Sequence, residues 1–161
     1  MNVQFKILIS ACLLGERVRY DAKINKLKNK LIESWLTQGI VISICPEVAG
    51  GLSTPRAPAE IQTDLSVKTV AGKNVSQAFT LGAQKTLSVA LANNVKVAVL
   101  TEKSPSCGSS IRYDGSFSRQ LIDGQGVTTQ LLHEHGIKVF NQFQLQQVQD
   151  YLDSFTAPTE S

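Results

Sequence analysis

The chain has 161 residues, 42% hydrophobic and 18% charged, with 16 basic and 13 acidic side chains and a net charge of +3. That balance excludes bulk disorder, and eleven Gly with five Pro exclude a collagen-like or linker-dominated chain. The mild charge does not suit a dedicated DNA-binding protein, no stretch approaches the ~20 apolar residues of a membrane span, and Met1–Ser10 shows no basic region followed by a cleavage site, so one cytoplasmic domain is expected.

In chain order, Phe5–Ala11 (FKILISA) is the first predicted strand. A helix is predicted over Ile24–Gln38, where Ile24, Leu27, Leu31, Ile32, Trp35 and Leu36 form one stripe and Gly39 stands at the C-terminal cap. Ile40–Ile44 is the second strand. An irregular stretch, Pro46–Gly72, follows with Gly50, Gly51, Pro55 and Pro58. The next helix runs from Val75 to Ala92, with Phe79, Ala83, Leu87 and Leu91 every four residues and Asn74 with Gln77 as a loose capping box. Lys96–Thr101 is the third strand.

A second irregular stretch, Ser104–Gly126, has Asp114-Gly115 as a tight turn between Ser110–Tyr113 and Ser116–Ser118. Val127–His135 is a short helix closed by Gly136, and Ile137–Phe140 is the fourth strand. His133 and His135 fall in that helix's last turn, where a cation meets the helix dipole favourably. Leu145, Val148, Leu152 and Phe155 mark a terminal helix with Asn141 as its N-cap. The last six residues are expected to fray.

The strand runs are nearly continuous in Val and Ile, as in a parallel sheet covered on both faces. The expectation is one α/β domain over residues 1–155 with a tail at 156–161, three-layered and Rossmann-like. Its sheet has about four mostly parallel strands, with helices on both faces. The two long loops are where function is expected.

The chain has three cysteines, an odd number with no CxxC and no Cys-His pair at zinc-finger spacing. Cys12 and Cys45 stand at the ends of the first two strand runs, and Cys107 lies six residues past the third. In an open parallel sheet, ligands bind outside the carboxyl ends of the strands, so all three thiols are carried to one edge. A structural zinc site wants four ligands, and a Cys-His nucleophile needs one thiol. A four-iron cluster normally takes four thiolates; held by three, it keeps one iron open to a soft ligand.

At these residues the sequence resembles the thiouracil desulfidase family. The blocks are Cys12-Leu-Leu-Gly15 with Arg19-Tyr20-Asp21, Cys45-Pro-Glu-Val48 through Gly50-Gly51-Leu52 to Pro55-Arg56, and Ser104-Pro-Ser-Cys-Gly108 with Tyr113-Asp114-Gly115. The resemblance extends to about residue 152. It implies a [4Fe-4S] cluster bound by Cys12, Cys45 and Cys107. The fourth iron takes the sulfur of a 2-thiouracil- or 4-thiouracil-type substrate, and a water-derived nucleophile replaces that sulfur without net redox change. It also implies Glu47 and Ser104 or Ser106 as proton-handling or substrate-orienting groups. One departure is Ala22, where the family commonly carries Gly after Tyr-Asp.

Each residue has a plainer role beside the functional one. A lone cysteine is usually inert packing; three at adjacent strand ends are not so simply explained. Glu47 either handles a proton in the mouth of the site or pairs with Arg17, Arg19 or Arg56. Ser104 and Ser106 either orient a uracil-like ring or serve ordinary turn chemistry. Gly50 and Gly51 either let backbone approach a ligand or make a tight turn. Arg56, Lys103 and Arg112 either offset cluster charge and grip a substrate phosphate or are surface charges. Trp35 is expected in the core.

The expected partner is a thiolated pyrimidine or its nucleotide, with tRNA less favoured and DNA not expected. The alternatives are another cluster-dependent lyase, a non-catalytic iron–sulfur sensor or electron carrier, and a metal-free thiol enzyme.

Overall fold

The structure, a computed structural model, describes residues 5–15 and 29–156. Four apolar runs pair as a parallel sheet: β1 (Lys6–Ser10), β2 (Val41–Ile44), β5 (Val95–Val99) and β8 (Lys138–Phe140), in the order β2-β1-β5-β8. All four predicted strands are present, within one or two residues at each end. β1 is central, with Ser10 opposite Ile44 of β2 and Ile9 opposite Val99 of β5. The chain turns to one side of β1 to make β2 and to the other to make β5. The carboxyl ends of β1 and β5 therefore flank the point where strand order reverses.

Alternation along β1 and β5 explains why both faces are covered. Ile7, Ile9, Val97 and Val99 face α1 (Lys30–Thr37) and α5 (Leu145–Thr156), packing with Ile32, Trp35, Leu145, Val148 and Leu152. Leu8, Ala98 and Leu100 face the opposite layer with Ala90 of α3 (Ser76–Ala92) and Leu132 of α4 (Val127–Glu134). Trp35 is fully buried as expected, and its indole N–H donates to Gln149 Oε1 at 2.8 Å, joining α1 to α5. The result is the three-layer α/β sandwich predicted. Among the described residues, no helix is long and apolar enough to cross a membrane.

Several local expectations need correction. Residues 24–28 of the first predicted helix lie outside the described residues, as do Arg17, Arg19, Tyr20, Asp21, Ala22 and residues 157–161. The described helix begins at Lys30, where Asn29 Oδ1 accepts the Leu31 N–H, and Gly39 takes φ +71° just past its end. In α3 the buried face is Phe79, Gly82, Ala83, Thr86 and Ala90, while Leu91 is 59% exposed. A strict four-residue spacing advances about 40° per step, so by Leu91 the row has left the core. Asn74 does assist α3, its Oδ1 accepting from Ser76 N.

Asn141 does not cap α5 directly. Its Oδ1 accepts from Phe143 N, its carbonyl accepts from Gln144 N, and Gln144 Oε1 accepts its own N–H, forming a turn that feeds the helix. His133 is not a cation at the end of α4. Burial first, and Lys138 second, hold its pKa below the ordinary value, and its Nε2 accepts Val139 N–H.

The two irregular stretches each contain a hairpin. β3 (Ala59–Ile61) and β4 (Val67–Thr69) pair antiparallel and seat Ile61 and Val67 on Val75 and Phe79. β6 (Ile111–Tyr113) pairs with β7 (Leu121–Asp123), not with Ser116–Ser118. Asp114 Oδ1 accepts both Ser116 N and Ser116 Oγ, so the serines are spent inside the loop before the second strand starts. Glu60 Oε1 accepts the Gly115 and Phe117 amides, tying the two hairpins together.

Between β2 and the first hairpin lies α2 (Pro46–Ala49), which packs on α3 through glycine. A Cβ on Gly50 would sit 1.9 Å from Ala78 O, and one on Gly82 would sit 2.0 Å from Pro46 O. Neither position has room for a side chain. Gly50→Ala and Gly82→Ala are each expected to lower stability by about 1–3 kcal/mol, read as a lower urea midpoint.

Candidate active site

Each cysteine leaves a different strand of the sheet. After β1 the chain winds into a 3-10 turn, Ala11–Leu14, with Cys12 at its second position and Gly15 closing it at φ +94°. Cys45 follows β2 directly. It is extended, at φ −111° and ψ 109°, because Pro46 occupies the first position of α2 and disfavours helical geometry before it. Cys107 arrives from β5 on a wound loop. Ser104 Oγ accepts Ser106 N and Cys107 N, both at 3.1 Å, and Gly108 N donates to Ser104 O. The start of α4 locks this loop from behind: Ser106 Oγ meets Thr128 Oγ1 at 2.7 Å, and Thr129 Oγ1 donates to Cys107 O at 2.9 Å.

The thiols meet at the strand-order reversal. Ser10 Oγ donates to Cys107 Sγ at 3.8 Å, Thr101 N donates to Ser10 Oγ at 3.2 Å, and Thr101 Oγ1 lies 3.0 Å from Cys12 Sγ. Burial pushes the Cys107 thiol well above its ordinary pKa, and the negative charges of Glu47, Cys45 and Cys12 push it further. Burial likewise raises Cys45, against the pull of the Val48 amide. These mutual effects place all three sulfurs and the Glu47 carboxylate in one electrostatic neighbourhood, with no disulfide among them. Among the described residues, no three Cys, His, Asp or Glu groups close tightly enough around one point to ligate a single ion. Three cysteine sulfurs are nonetheless soft donors of the kind that hold an iron–sulfur cage.

Glu47, on the first turn of α2, is paired with Arg56 Nε at 3.3 Å; the side chains are 18% and 8% exposed. Arg56 is in turn braced by Ser53 O and Thr54 Oγ1. Both line a cleft of about 180 Å³ with Ser53, Lys73 and Phe79. The three cysteines are outside that lining, but Glu47 and Arg56 both line the cleft and both act on the Cys45 thiol, Glu47 raising its pKa and Arg56 lowering it.

The remaining predicted residues are distributed unevenly. The amides of Gly50 and Gly51 donate to Pro46 O and Val48 O, and Gly50 is pressed against α3. Ser106 is 1% exposed and bonded to Thr128. Lys103 is exposed, at φ +71°, beside Arg112 and Pro105 at a narrower recess.

Glu102 is a structural centre that the sequence reasoning missed. It is 7% exposed, and its carboxylate accepts from Ser109 N, Ser109 Oγ, Ser110 N, Ser110 Oγ, Ile111 N and Asn141 Nδ2. The signal was present: one acid at a strand end, followed by a run containing Ser104, Ser106, Ser109 and Ser110. Burial alone would raise this carboxyl, but bonds from Asn141, Ser110, Ile111 and Ser109 outweigh it and bring its pKa to about 2. A depressed carboxyl contributes stability above its unfolded value and loses that contribution as pH falls. The Glu102 contribution should therefore be intact above pH 4.5 and disappear toward pH 2. Glu102→Ala should cost about 3 kcal/mol near neutral pH and flatten this part of the stability–pH curve, measured by urea unfolding.

Against this geometry, the family model for 2-thiouracil desulfurase matches residues 7–144. The chain belongs to that family. It is 36% identical over 151 residues to the uncharacterized protein YbbK of Bacillus subtilis (strain 168), covering 88% of this chain and 99% of that one. It is also similar to a solved structure, the [4Fe-4S]-dependent thiouracil desulfidase TudS (DUF523Vcz), with a TM-score of 0.91 and 42% identity. That likeness covers 94% of this chain and 99% of the other.

Proposed function

We propose that this protein is a [4Fe-4S]-dependent thiouracil desulfidase. It exchanges the thiocarbonyl sulfur of a thiolated pyrimidine for oxygen from water, giving uracil and sulfide with no net change of oxidation state. The observation that carries this is the convergence of Cys12, Cys45 and Cys107 at the strand-order reversal of a chain in the desulfurase family.

Cys12, Cys45 and Cys107 would hold the cluster as thiolates. Three neighbouring thiolates, that of Cys107 buried, are costly alone, and cationic iron would remove that cost by coordination. When bound, the cluster supplies an iron free of cysteine, a Lewis acid for the thiocarbonyl sulfur. Glu47 holds a carboxylate at the mouth and is the general base for the attacking water; that proton then goes to the departing sulfide, and the second water proton is released to solvent as the new carbonyl forms. Arg56 fixes the direction of that carboxylate. Ser104 Oγ already accepts two amides, so its own proton is left to donate to a pyrimidine oxygen. Ser106 holds the Cys107 loop on α4.

The substrate is a small molecule rather than tRNA: the net charge is only +3, and the cleft beside Glu47 is small. Its Arg56 and Lys73 suit a phosphate if the pyrimidine is a nucleotide. A reducing cytoplasm fits a site whose three thiols must stay unpaired.

Protein reconstituted without oxygen should be brown, carry about four irons per chain, and convert thiouracil to uracil and sulfide with no added reductant. A colourless, iron-free product, or a strict need for an electron donor, would overturn the proposal. Alanine at any one of the three cysteines should abolish both colour and turnover. Glu47→Ala should keep the cluster while its rate of sulfide release falls about 10²–10⁴-fold; full activity would remove Glu47 from the chemistry.

A further inference from the structure

We infer that Ser10 and Thr101 are positioning residues for the cluster, a crossed pair of hydroxyls that donate to the sulfurs of Cys107 and Cys12; this rests on the cluster assignment above. Ser10 is the last residue of β1 and Thr101 lies just past the end of β5, so the two neighbouring strand ends face each other across the reversal point. Each serves the cysteine carried by the other strand. Ser10 reaches the thiol of the loop after β5, and Thr101 reaches the thiol of the turn after β1.

The direction of each bond follows from counting protons. Ser10 is 3% exposed, and its oxygen accepts the Thr101 N–H at 3.2 Å. Its single proton must then point elsewhere, and Cys107 Sγ at 3.8 Å receives it. Either atom of the Cys12–Thr101 contact can donate while the sulfur is a thiol. A metal-bound thiolate has no proton, so as a ligand Cys12 can only accept, and Thr101 becomes the donor. Cys45 takes its donors from the backbone, through the amides of Val48 and Glu47. Two of the three ligand sulfurs thus depend on side-chain hydroxyls that substitution can remove.

A hydrogen bond to a ligand sulfur draws negative charge off it, and such bonds are among the levers that set a cluster's potential. In a reaction without electron transfer the same withdrawal makes the open iron a better acceptor for a substrate sulfur. Losing a donor stabilises the more oxidised cluster, so the midpoint potential moves negative.

The test is redox titration of the reconstituted holoenzyme with Ser10→Ala, Thr101→Val, the double variant and Thr101→Ser. The expected result is a full complement of iron in each variant and a more negative potential in Ser10→Ala and Thr101→Val. The two shifts should add in the double variant, Thr101→Ser should stay at the wild-type value, and sulfide release should slow as the potential falls. Iron-replete Thr101→Val and Ser10→Ala at the wild-type potential would overturn the inference while leaving the cluster assignment standing. A wild-type protein that takes up no iron would instead remove that assignment. If Thr101→Val fails to load, resonance Raman spectra of wild-type holoenzyme in heavy water decide: iron–sulfur stretching bands that do not move would overturn the inference.

Discussion

Parallel pairing is the constraint on which the site depends. Because β1, β2 and β5 run the same way, their carboxyl ends arrive at one edge, and Cys12 and Cys45, within two residues of the ends of β1 and β2, are delivered to the same place. The wound loop after β5 does the rest, bringing Cys107 back to the edge where Cys12 and Cys45 stand. The cost is that the edge becomes crowded with negative charge, since Glu47 shares the neighbourhood of the sulfurs.

The molecule handles its two kinds of anion differently. Glu102 is buried as a carboxylate, and the protein itself satisfies it with amides, hydroxyls and the Asn141 side chain. That anion is structural: it wraps residues 109–111 and thereby fixes the far side of the loop bearing Cys107. Burial dominates the environment of the Cys107 and Cys45 sulfurs. A carboxylate surrounded by donors is finished as a structure, whereas under-solvated thiols remain open to a metal.

The framework was legible because it rests on strong, local signals. Runs such as KILIS and VKVAV have few other uses, and Gly39 and Gly136 mark helix ends by their left-handed backbone. The position of the cysteines relative to those runs was enough to place them on one edge. What was not legible depended on partners distant in sequence or on exact geometry. Glu102 carries no motif of its own, and its Asn141 partner lies 39 residues away in sequence. Leu91 fitted a four-residue spacing that a helix of 3.6 residues per turn cannot keep in the core. The second strand of the β6–β7 hairpin was displaced because Asp114 engages Ser116 locally before pairing begins. Gly50 seemed suited to a ligand, but its missing side chain accommodates another helix.

That crossing of α2 and α3 bears on how the protein can be altered. At both glycines the obstructing atom is a main-chain carbonyl oxygen, Ala78 O in one case and Pro46 O in the other. Trimming a neighbouring side chain opens no space there, so a second-site suppressor cannot act by conventional repacking. The seam between the helix bearing the proposed base and α3 therefore tolerates no compensated drift at these two positions. Anyone reshaping the pocket for a bulkier heterocycle has to leave this seam untouched and work from the 52–59 loop and the first hairpin instead.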